Sequence, residues 1–154
     1  MSKSPEHTKG KNMKTIFVKE NEQKRDWYIV DASGKTLGRV AAKVASVLRG
    51  KHKATFAPSQ NMGDYVVIIN AGKIVVSGGK EEKKIYYQYT GYVGNLKHYS
   101  FESLLARHPE EPLMIAIKGM LPHNRLGRAL LGNVKIYADE KHPHLAQNPK
   151  PLEV

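Results

Sequence analysis

The 154-residue sequence has no cysteine, which excludes a disulfide framework, a thiolate metal site and a cysteine nucleophile. Long hydrophobic runs are also missing, since the longest, at 65–69 and 113–117, are far too short to span a bilayer. The first twelve residues are charged and lack the apolar segment of a signal peptide. We therefore expect a soluble, unexported, cytoplasmic protein that has no membrane partner.

Acidic residues are few and unevenly placed. Lysine and arginine number 25 against 14 aspartates and glutamates, which gives a formal net charge of +11. No acid occurs in 32–63, 83–101 or 112–138. If the excess served only solubility, acids and bases should alternate along each element. Segregated positive charge instead favours a surface that binds a polyanion such as a nucleic acid.

Apolar residues make up 40% of the chain, enough for the core of one domain. Period-two or continuous apolar runs predict strands, and apolar residues at helical spacing predict helices. Strands alternating with helices predict an α/β fold: a single domain with a mostly parallel central sheet of about four strands and helices on both faces. The expected strands are 27–30, 65–70, 74–77 and 134–138, and the expected helices are 37–48, 100–108, one from about 112, and 123–131.

The chain ends carry no periodic pattern. Residues 1–13 are predicted to be a flexible extension, 14–138 the α/β domain, and 139–154 an extended tail with three prolines.

The motif Gly34-Lys35-Thr36 after the first strand raises the question of a nucleotide-hydrolysing loop. Such a loop needs a leading glycine five positions before Gly34, but Ile29 is there. The strand that could carry a magnesium-binding aspartate ends in Asn70. A nucleotide hydrolase is therefore the least favoured function. The alternatives are a turn into a helix with Thr36 as N-cap, or a site where Lys35 holds a nucleic-acid phosphate.

Other catalytic patterns are missing too. No H-E-x-x-H motif occurs, and His142 and His144 stand in a proline-broken tail with no third ligand nearby. Ser77 is not a nucleophile elbow, because Val75 replaces the required glycine. We predict that the protein is not an enzyme and has no cofactor, metal or small-molecule substrate.

The predicted helix at 37–48 has a basic face opposite its apolar face. A merely solvated face usually places glutamates at i,i+4 from its cations, and none occurs between Lys35 and Lys53. We predict contact with nucleic-acid phosphates along this basic stripe, defined as Lys35, Arg39, Lys43, Arg49, Lys51, His52 and Lys53. His52 is the weakest member, since histidines at such positions are more often plain surface residues.

Five of the eight tyrosines fall between positions 85 and 101. Alternating aromatics also suit a strand packed on a core. In YTGYVGNLK, however, Gly91 and Gly94 permit close backbone approach, while Tyr89, Tyr92 and Lys97 offer stacking faces and a charge. We predict RNA contact at Tyr89, Gly91, Tyr92 and Lys97.

A second pair of cations follows the break made by Gly119 and Pro122. Arg125 and Arg128 lie three apart on a predicted helix and therefore project side by side. They could be two solvated arginines, but paired guanidinium groups on a rigid element suit phosphates. Lys118 and Lys135 are predicted to extend this patch.

The ordered segments RDWYIVDASGKTLGRVAAKVASVLRGKHK, GDYVVIINAGKIVVSGGK, YTGYVGNLK, ARHP, IKGMLPHNRLGRALL and VKIYA closely resemble the ribosomal protein L13 family of the bacterial large subunit. The resemblance runs from about residue 13 to 147. It departs from the family in residues 1–12, which precede the usual start, and at Asp139, where a glycine is common.

This resemblance implies a structural protein of the large ribosomal subunit, with a central sheet flanked by helices. It implies rRNA and neighbouring large-subunit proteins as partners, a role in early subunit assembly and translation, and, in some relatives, binding to the protein's own mRNA. A free RNA-binding regulator remains the alternative function, and the nucleotide hydrolase comes third.

Overall fold

The computed structural model describes Val18 and residues 23–154; the predicted extension 1–13 lies outside them. This part of the chain contains six strands, five α-helices and two 3-10 turns, Ala71–Lys73 and His144–Gln147. In chain order the strands and α-helices are β1 (Trp27–Asp31), α1 (Leu37–Leu48), β2 (Tyr65–Ile69), α2 (Lys80–Lys83), β3 (Ile85–Tyr89), β4 (Leu96–Ser100), α3 (Phe101–Arg107), α4 (Glu111–Met120), α5 (Arg125–Leu131), β5 (Val134–Ile136) and β6 (Lys150–Pro151).

The main sheet is parallel and has the strand order β5-β2-β1-β6. Its central strand β2 has the sequence YVVII, and Val66, Val67 and Ile68 are fully buried. A continuous apolar run is what a parallel strand covered on both faces requires. The predicted single α/β domain with a mostly parallel sheet of about four strands is confirmed.

The fourth strand is not the one predicted from the sequence. Residues 74–77 form no strand; Val75 makes only an isolated bridge with Thr36. The carbonyl and N–H groups of Val75 instead bond the loop between β1 and α1. The sheet is completed by β6 from the predicted tail, where the N–H of Leu152 donates to the Ile29 carbonyl at 2.9 Å.

The apolar core lies on one face of this sheet. Val30, Ile68 and Ile136 are neighbours across three strands and point to the same side. The buried residues of α1 and of α4 pack against them in one cluster. As predicted, Gly50 terminates α1, two residues after the last helical residue, Leu48. Its positive φ of 75° and its close approach to the Met62 carbonyl oxygen suit only glycine.

The other face of the sheet is covered in part by the C-terminal segment. Trp27 stacks on Tyr65 with ring centroids 4.6 Å apart. His144, in the second 3-10 turn, lies 5.2 Å from the Trp27 ring, and its Nε2 is 2.9 Å from the Tyr137 hydroxyl. The predicted tail therefore packs on the sheet opposite α1.

Strands β3 and β4 form a separate antiparallel hairpin whose tip is TGYVGN. Gly91 and Gly94 have φ of 95° and 80°, conformations that glycine adopts without strain. Directly after the hairpin, Ser100 Oγ accepts from the Ser103 N–H at 3.2 Å, which confirms the predicted cap of α3. The tyrosine-rich stretch is thus a projecting hairpin.

Helix α5 begins at Arg125, two residues later than predicted, because Asn124 caps it. Asn124 Oδ1 accepts from the Gly127 N–H at 2.8 Å. A side chain at Gly127 would collide with the Pro122 carbonyl, so glycine lets the helix start close against the preceding turn. Within the described part of the chain, no helix is long and apolar enough to cross a membrane.

Candidate nucleic-acid interface

The backbone N–H groups of the loop between β1 and α1 donate hydrogen bonds within the protein. The Ser33 N–H donates to Asp31 Oδ1, and the Gly34 N–H donates to the Lys73 carbonyl at 3.1 Å. The N–H groups of Lys35 and Leu37 bond the carbonyls of Ala32 and Val75. A phosphate-cradling loop needs these amides free and convergent. The geometry therefore disagrees with a nucleotide loop.

Helix α1 also starts differently from the prediction. Thr36 occupies the N-cap position, but its hydroxyl makes no capping hydrogen bond and is buried without a partner among the described residues. The Val75 carbonyl accepts from the first helical N–H at 3.0 Å and so takes over the capping role. The sequence could not reveal this acceptor, because it lies 39 positions away from Thr36.

A carboxylate stabilises the same loop. The Ser33 N–H and the Asn70 amide, which donates at 3.0 Å, hold the pKa of the exposed Asp31 carboxyl below its usual value of 3.8. Desolvation opposes this lowering of the pKa, and Lys35 and Lys73 add smaller favourable contributions. Asn70, where a magnesium-binding aspartate would be needed, thus serves to join β1 and β2. The negative charge of Asp31 makes this loop still less suited to a triphosphate.

The basic stripe on α1 is largely unpaired. Arg39 and Lys43 are exposed, and the Arg49 guanidinium lies 5.8 Å from the Phe56 ring centroid, which holds it against the surface. Among the described residues, none of the ion pairs involves Arg39, Lys43, Arg49 or Lys51. These four cations are therefore available to an external anion.

The last two members of the stripe have an internal partner. Asp64 is fully buried, and its carboxylate bonds His52 Nε2 at 2.8 Å and Lys53 Nζ. The same carboxylate accepts from the Asp26 N–H at 2.9 Å. No sequence pattern indicates this cluster, because Asp64 lies just outside the acid-free block 32–63. His52 and Lys53 thus anchor the segment after α1 and hold Lys51 beside it.

The end of α4 joins the stripe to other cations. Met120 lines one cleft with Arg49 and Lys51, and another with Arg39, Lys80 and Lys84. Lys80 and Lys84 belong to the charged segment KEEKK, for which no contact with a nucleic acid was predicted. They lie beside Arg39 because of the way α2 packs on the rest of the domain. This packing cannot be predicted from the local sequence.

Helix α5 and the end of α4 form a second basic area. Lys118 and Arg128 line a single cleft together with His123 and Asn124. The predicted extension of the arginine patch by Lys118 therefore agrees with the geometry. Arg125 is exposed on the same helix. His123 is a further candidate, and no pattern in the sequence singles it out.

Five predicted contact residues do not share these basic areas. Lys135 alternates with the buried Val134 and Ile136, so it projects from the sheet face opposite α1. Tyr89 and Lys97 lie on opposite faces of the hairpin, because Lys97 pairs with Gln88 rather than with Tyr89. Tyr92 and Gly91 stand at the exposed tip.

No cluster of three or more histidine, aspartate or glutamate side chains suited to a metal occurs among the described residues.

Comparison with known proteins identifies the family. The model of the family described as ribosomal protein L13 matches residues 25–143. The chain belongs to the ribosomal protein L13 family. The recognition from sequence is thereby confirmed, as is the prediction of a ribosomal protein that is not an enzyme.

Relatives in the L13 family match over nearly their whole length. A protein of Treponema denticola is 63% identical over 142 residues, which are 92% of this chain and all of that protein. Matches from Treponema pallidum (strain Nichols) and Chloroflexus aggregans are 59% and 55% identical, over 91% and 90% of this chain and 99% and 97% of theirs. Each of the three is called large ribosomal subunit protein uL13.

Proposed function

We propose that the chain is a structural component of the cytoplasmic large ribosomal subunit and binds rRNA through a basic surface made of two areas, one on each side of α4. The observation that carries the proposal is that unpaired cations of the basic stripe and of α5 border the end of α4 on its two sides. Met120 lies beside Arg39, Arg49 and Lys51, and Lys118 lies beside Arg128. The names of the relatives support the ribosomal setting.

The basic surface acts by neutralising phosphates. Each lysine or arginine that contacts the RNA backbone releases condensed counterions, and the rigid helices fix where those phosphates sit. Cations from separate helices can bind RNA segments that are distant in the RNA sequence. The protein thereby holds converging rRNA segments together, which supports early assembly of the subunit.

The remaining predicted contact residues have separate roles in this proposal. Tyr92 and Gly91 bring the hairpin tip to RNA beyond the main surface, where an aromatic ring can stack on an unpaired base. Tyr89 and Lys97 contact different partners, since they face opposite ways. Lys35 and Lys135 extend the positive field at the loop after β1 and on the opposite sheet face, toward further rRNA or neighbouring large-subunit proteins.

The experiment that tests this function is sedimentation of native cell extract in a sucrose gradient, with the protein followed by antibody. We expect the protein to migrate with the large subunit, to stay there after subunit dissociation, and to leave it after RNase treatment. Migration near the top of the untreated gradient would reject the ribosomal role. It would favour the free RNA-binding regulator, which includes binding to the protein's own mRNA.

A further inference from the structure

A groove between the hairpin and α4 is not used by the phosphate contacts proposed above. It encloses about 660 Å³, a size typical of pockets for small organic molecules. The hairpin contributes Tyr86, Gln88 and Tyr99 to one wall, and α4 contributes Met114 and Ile115 to the other. The side chains on these two walls are thus mainly aromatic and aliphatic, with one amide among them.

Two tyrosine rings form the aromatic wall of the groove. Tyr86 and Tyr99 are direct cross-strand partners. The Lys84 ammonium lies 5.2 Å from the Tyr86 centroid, and the Arg107 guanidinium lies 5.8 Å from the Tyr99 centroid. Neither cation lines the groove, so the sides of the rings that face it remain open to another planar group.

Positive charge connects the groove to the proposed phosphate surface. Lys118 and His123 line both the groove and the cleft that contains Arg128. Glu111 is the one acid among the lining residues. A ligand that carries phosphates along Lys118 and Arg128 therefore has the mouth of an aromatic groove directly beside it.

We propose that this groove holds the base of one unpaired rRNA nucleotide extruded from its stack. The base lies between the tyrosine wall and Met114 with Ile115, and its phosphate lies at Lys118. Proteins recognise single-stranded RNA in this way, with bases stacked on aromatic side chains and their edges hydrogen-bonded. The inference rests on the proposed rRNA binding and names the form of RNA that this part of the surface takes.

Photocross-linking in assembled subunits tests which molecule fills the groove. We would place p-benzoylphenylalanine at position 115, where the native Ile115 is 42% exposed, and as a control at position 145, where Leu145 is 73% exposed in the C-terminal turn. After irradiation of purified large subunits, reverse-transcription stops map RNA adducts and mass spectrometry detects protein adducts. We expect position 115 to give one stop, at an unpaired nucleotide, and position 145 not to give that stop.

A charge variant tests the same contact without a probe. Ile115→Glu places a negative charge in the groove, whereas Ala146→Glu adds the same charge at an exposed site in the C-terminal turn. In Ile115→Glu subunits, the mapped nucleotide should gain at least about fivefold in base-specific chemical reactivity, the effect of losing one base-aromatic stack. Ala146→Glu should leave that nucleotide unchanged.

Several results would overturn the assignment. An adduct between position 115 and a protein would show that a peptide fills the groove. Scattered stops in duplex RNA, or unchanged reactivity in Ile115→Glu subunits, would show that no extruded base is bound, while rRNA binding elsewhere stood. Absence of the native chain from large subunits would reject the proposed function itself, and this assignment with it.

Discussion

At the scale of single residues, Asp64 is the buried charge on which the segment after α1 depends. Asp64→Asn removes the carboxylate charge that pairs with Lys53 and lies 2.8 Å from His52 Nε2. Removing one partner of a buried pair costs about 3–5 kcal/mol. Because the Lys53 and His52 side chains are 20% and 35% exposed, we expect the low end, about 3 kcal/mol, as a lower urea midpoint.

The control for Asp64 is a solvent-exposed ion pair in the same protein. Asp26→Asn removes the partner of Lys150, 3.4 Å away, where both side chains are about half exposed or more. Such pairs contribute about 1 kcal/mol or less. Equal losses for Asp64→Asn and Asp26→Asn would contradict the anchoring role of Asp64.

Asp31 should make stability depend on acid pH. Its hydrogen bonds with Ser33 and Asn70 lower its pKa in the folded protein, so the unfolded chain binds its proton at higher pH. The stabilisation is therefore present above about pH 3.8 and is lost as pH falls through the lowered folded pKa. Urea midpoints measured from about pH 5 to 2 should fall less steeply in Asp31→Asn, and parallel curves would contradict this.

Tyr86 carries a hydroxyl that costs stability. This oxygen is buried and has no hydrogen-bond partner among the described residues, and burial raises the pKa of Tyr86 above its usual value of 10.0. Tyr86→Phe should therefore stabilise the fold by about 1 kcal/mol in urea unfolding. Its stability should also fall less steeply above about pH 10, because the unfolded wild-type chain loses this proton first.

The matched change for Tyr86 is Tyr137→Phe. Its hydroxyl is bonded to His144, so its removal should destabilise the protein by about 1 kcal/mol. The two changes delete the same atom from the same residue type, and opposite signs are expected. A loss of stability in both variants would show that the Tyr86 hydroxyl is satisfied in solution.

At the scale of elements, α5 is the part of the basic surface best suited to mutation. Arg125→Ala with Arg128→Ala should leave the fold intact, because both side chains are exposed. Incorporation into subunits should weaken, and the salt slope of rRNA binding should fall by ~1 for each lost phosphate contact. The readouts are sedimentation of the variant and filter binding across a salt series.

Lys135→Ala is the comparison for Arg128→Ala. It removes one charge from the sheet face opposite α1, so it should reduce binding less than Arg128→Ala does. Normal incorporation of a folded Arg125→Ala, Arg128→Ala protein would remove α5 from the proposed interface.

Elements with a strong internal period were predictable from sequence, and those defined by distant partners were not. Helix α1 and strand β2 carry patterns of buried residues that identify them without any neighbour. Strand β6 consists of Lys150 and Pro151, too short to show a period, and it exists only because β1 offers an unpaired edge. The predicted strand at 74–77 is apolar, but its hydrogen-bonding groups are used by the loop before α1.

The residues of the candidate site also fall into two groups, those predictable from sequence and those that depend on tertiary packing. The stripe on α1 and the pair on α5 follow from helical spacing. The meeting of Lys118 with Arg128, the place of Lys84 beside Arg39, and the opposite orientations of Tyr89 and Lys97 depend on packing and on hairpin register. Lys53 is paired inside the protein with the buried carboxylate of Asp64. A count of charges in the sequence cannot distinguish this buried acid from an acid on the surface.

At the scale of the whole molecule, the C-terminal segment is part of the fold. Removing residues 149–154 deletes β6 and the half-buried Leu152, and leaves the edge of β1 unpaired. We expect a loss of about 1–2 kcal/mol from the apolar contact and a tendency to self-associate, because open edges pair with other chains. Urea unfolding and analytical ultracentrifugation measure the two effects.

A shorter truncation is the control. Removing Glu153 and Val154 alone keeps β6 and Leu152 and should leave both the midpoint and the monomer unchanged. Identical behaviour of the two truncated proteins would show that β6 contributes nothing to the sheet.

The pairing of β1 with β6 also sets the order of events during synthesis. Strand β1 emerges long before its edge partner β6, which follows more than 110 residues later in the chain. Domains fold largely as units, and incompletely paired edges are aggregation-prone while they wait. Each newly made copy therefore has a vulnerable interval that lasts at least until β6 has been translated, and protection from a chaperone would matter most before that point.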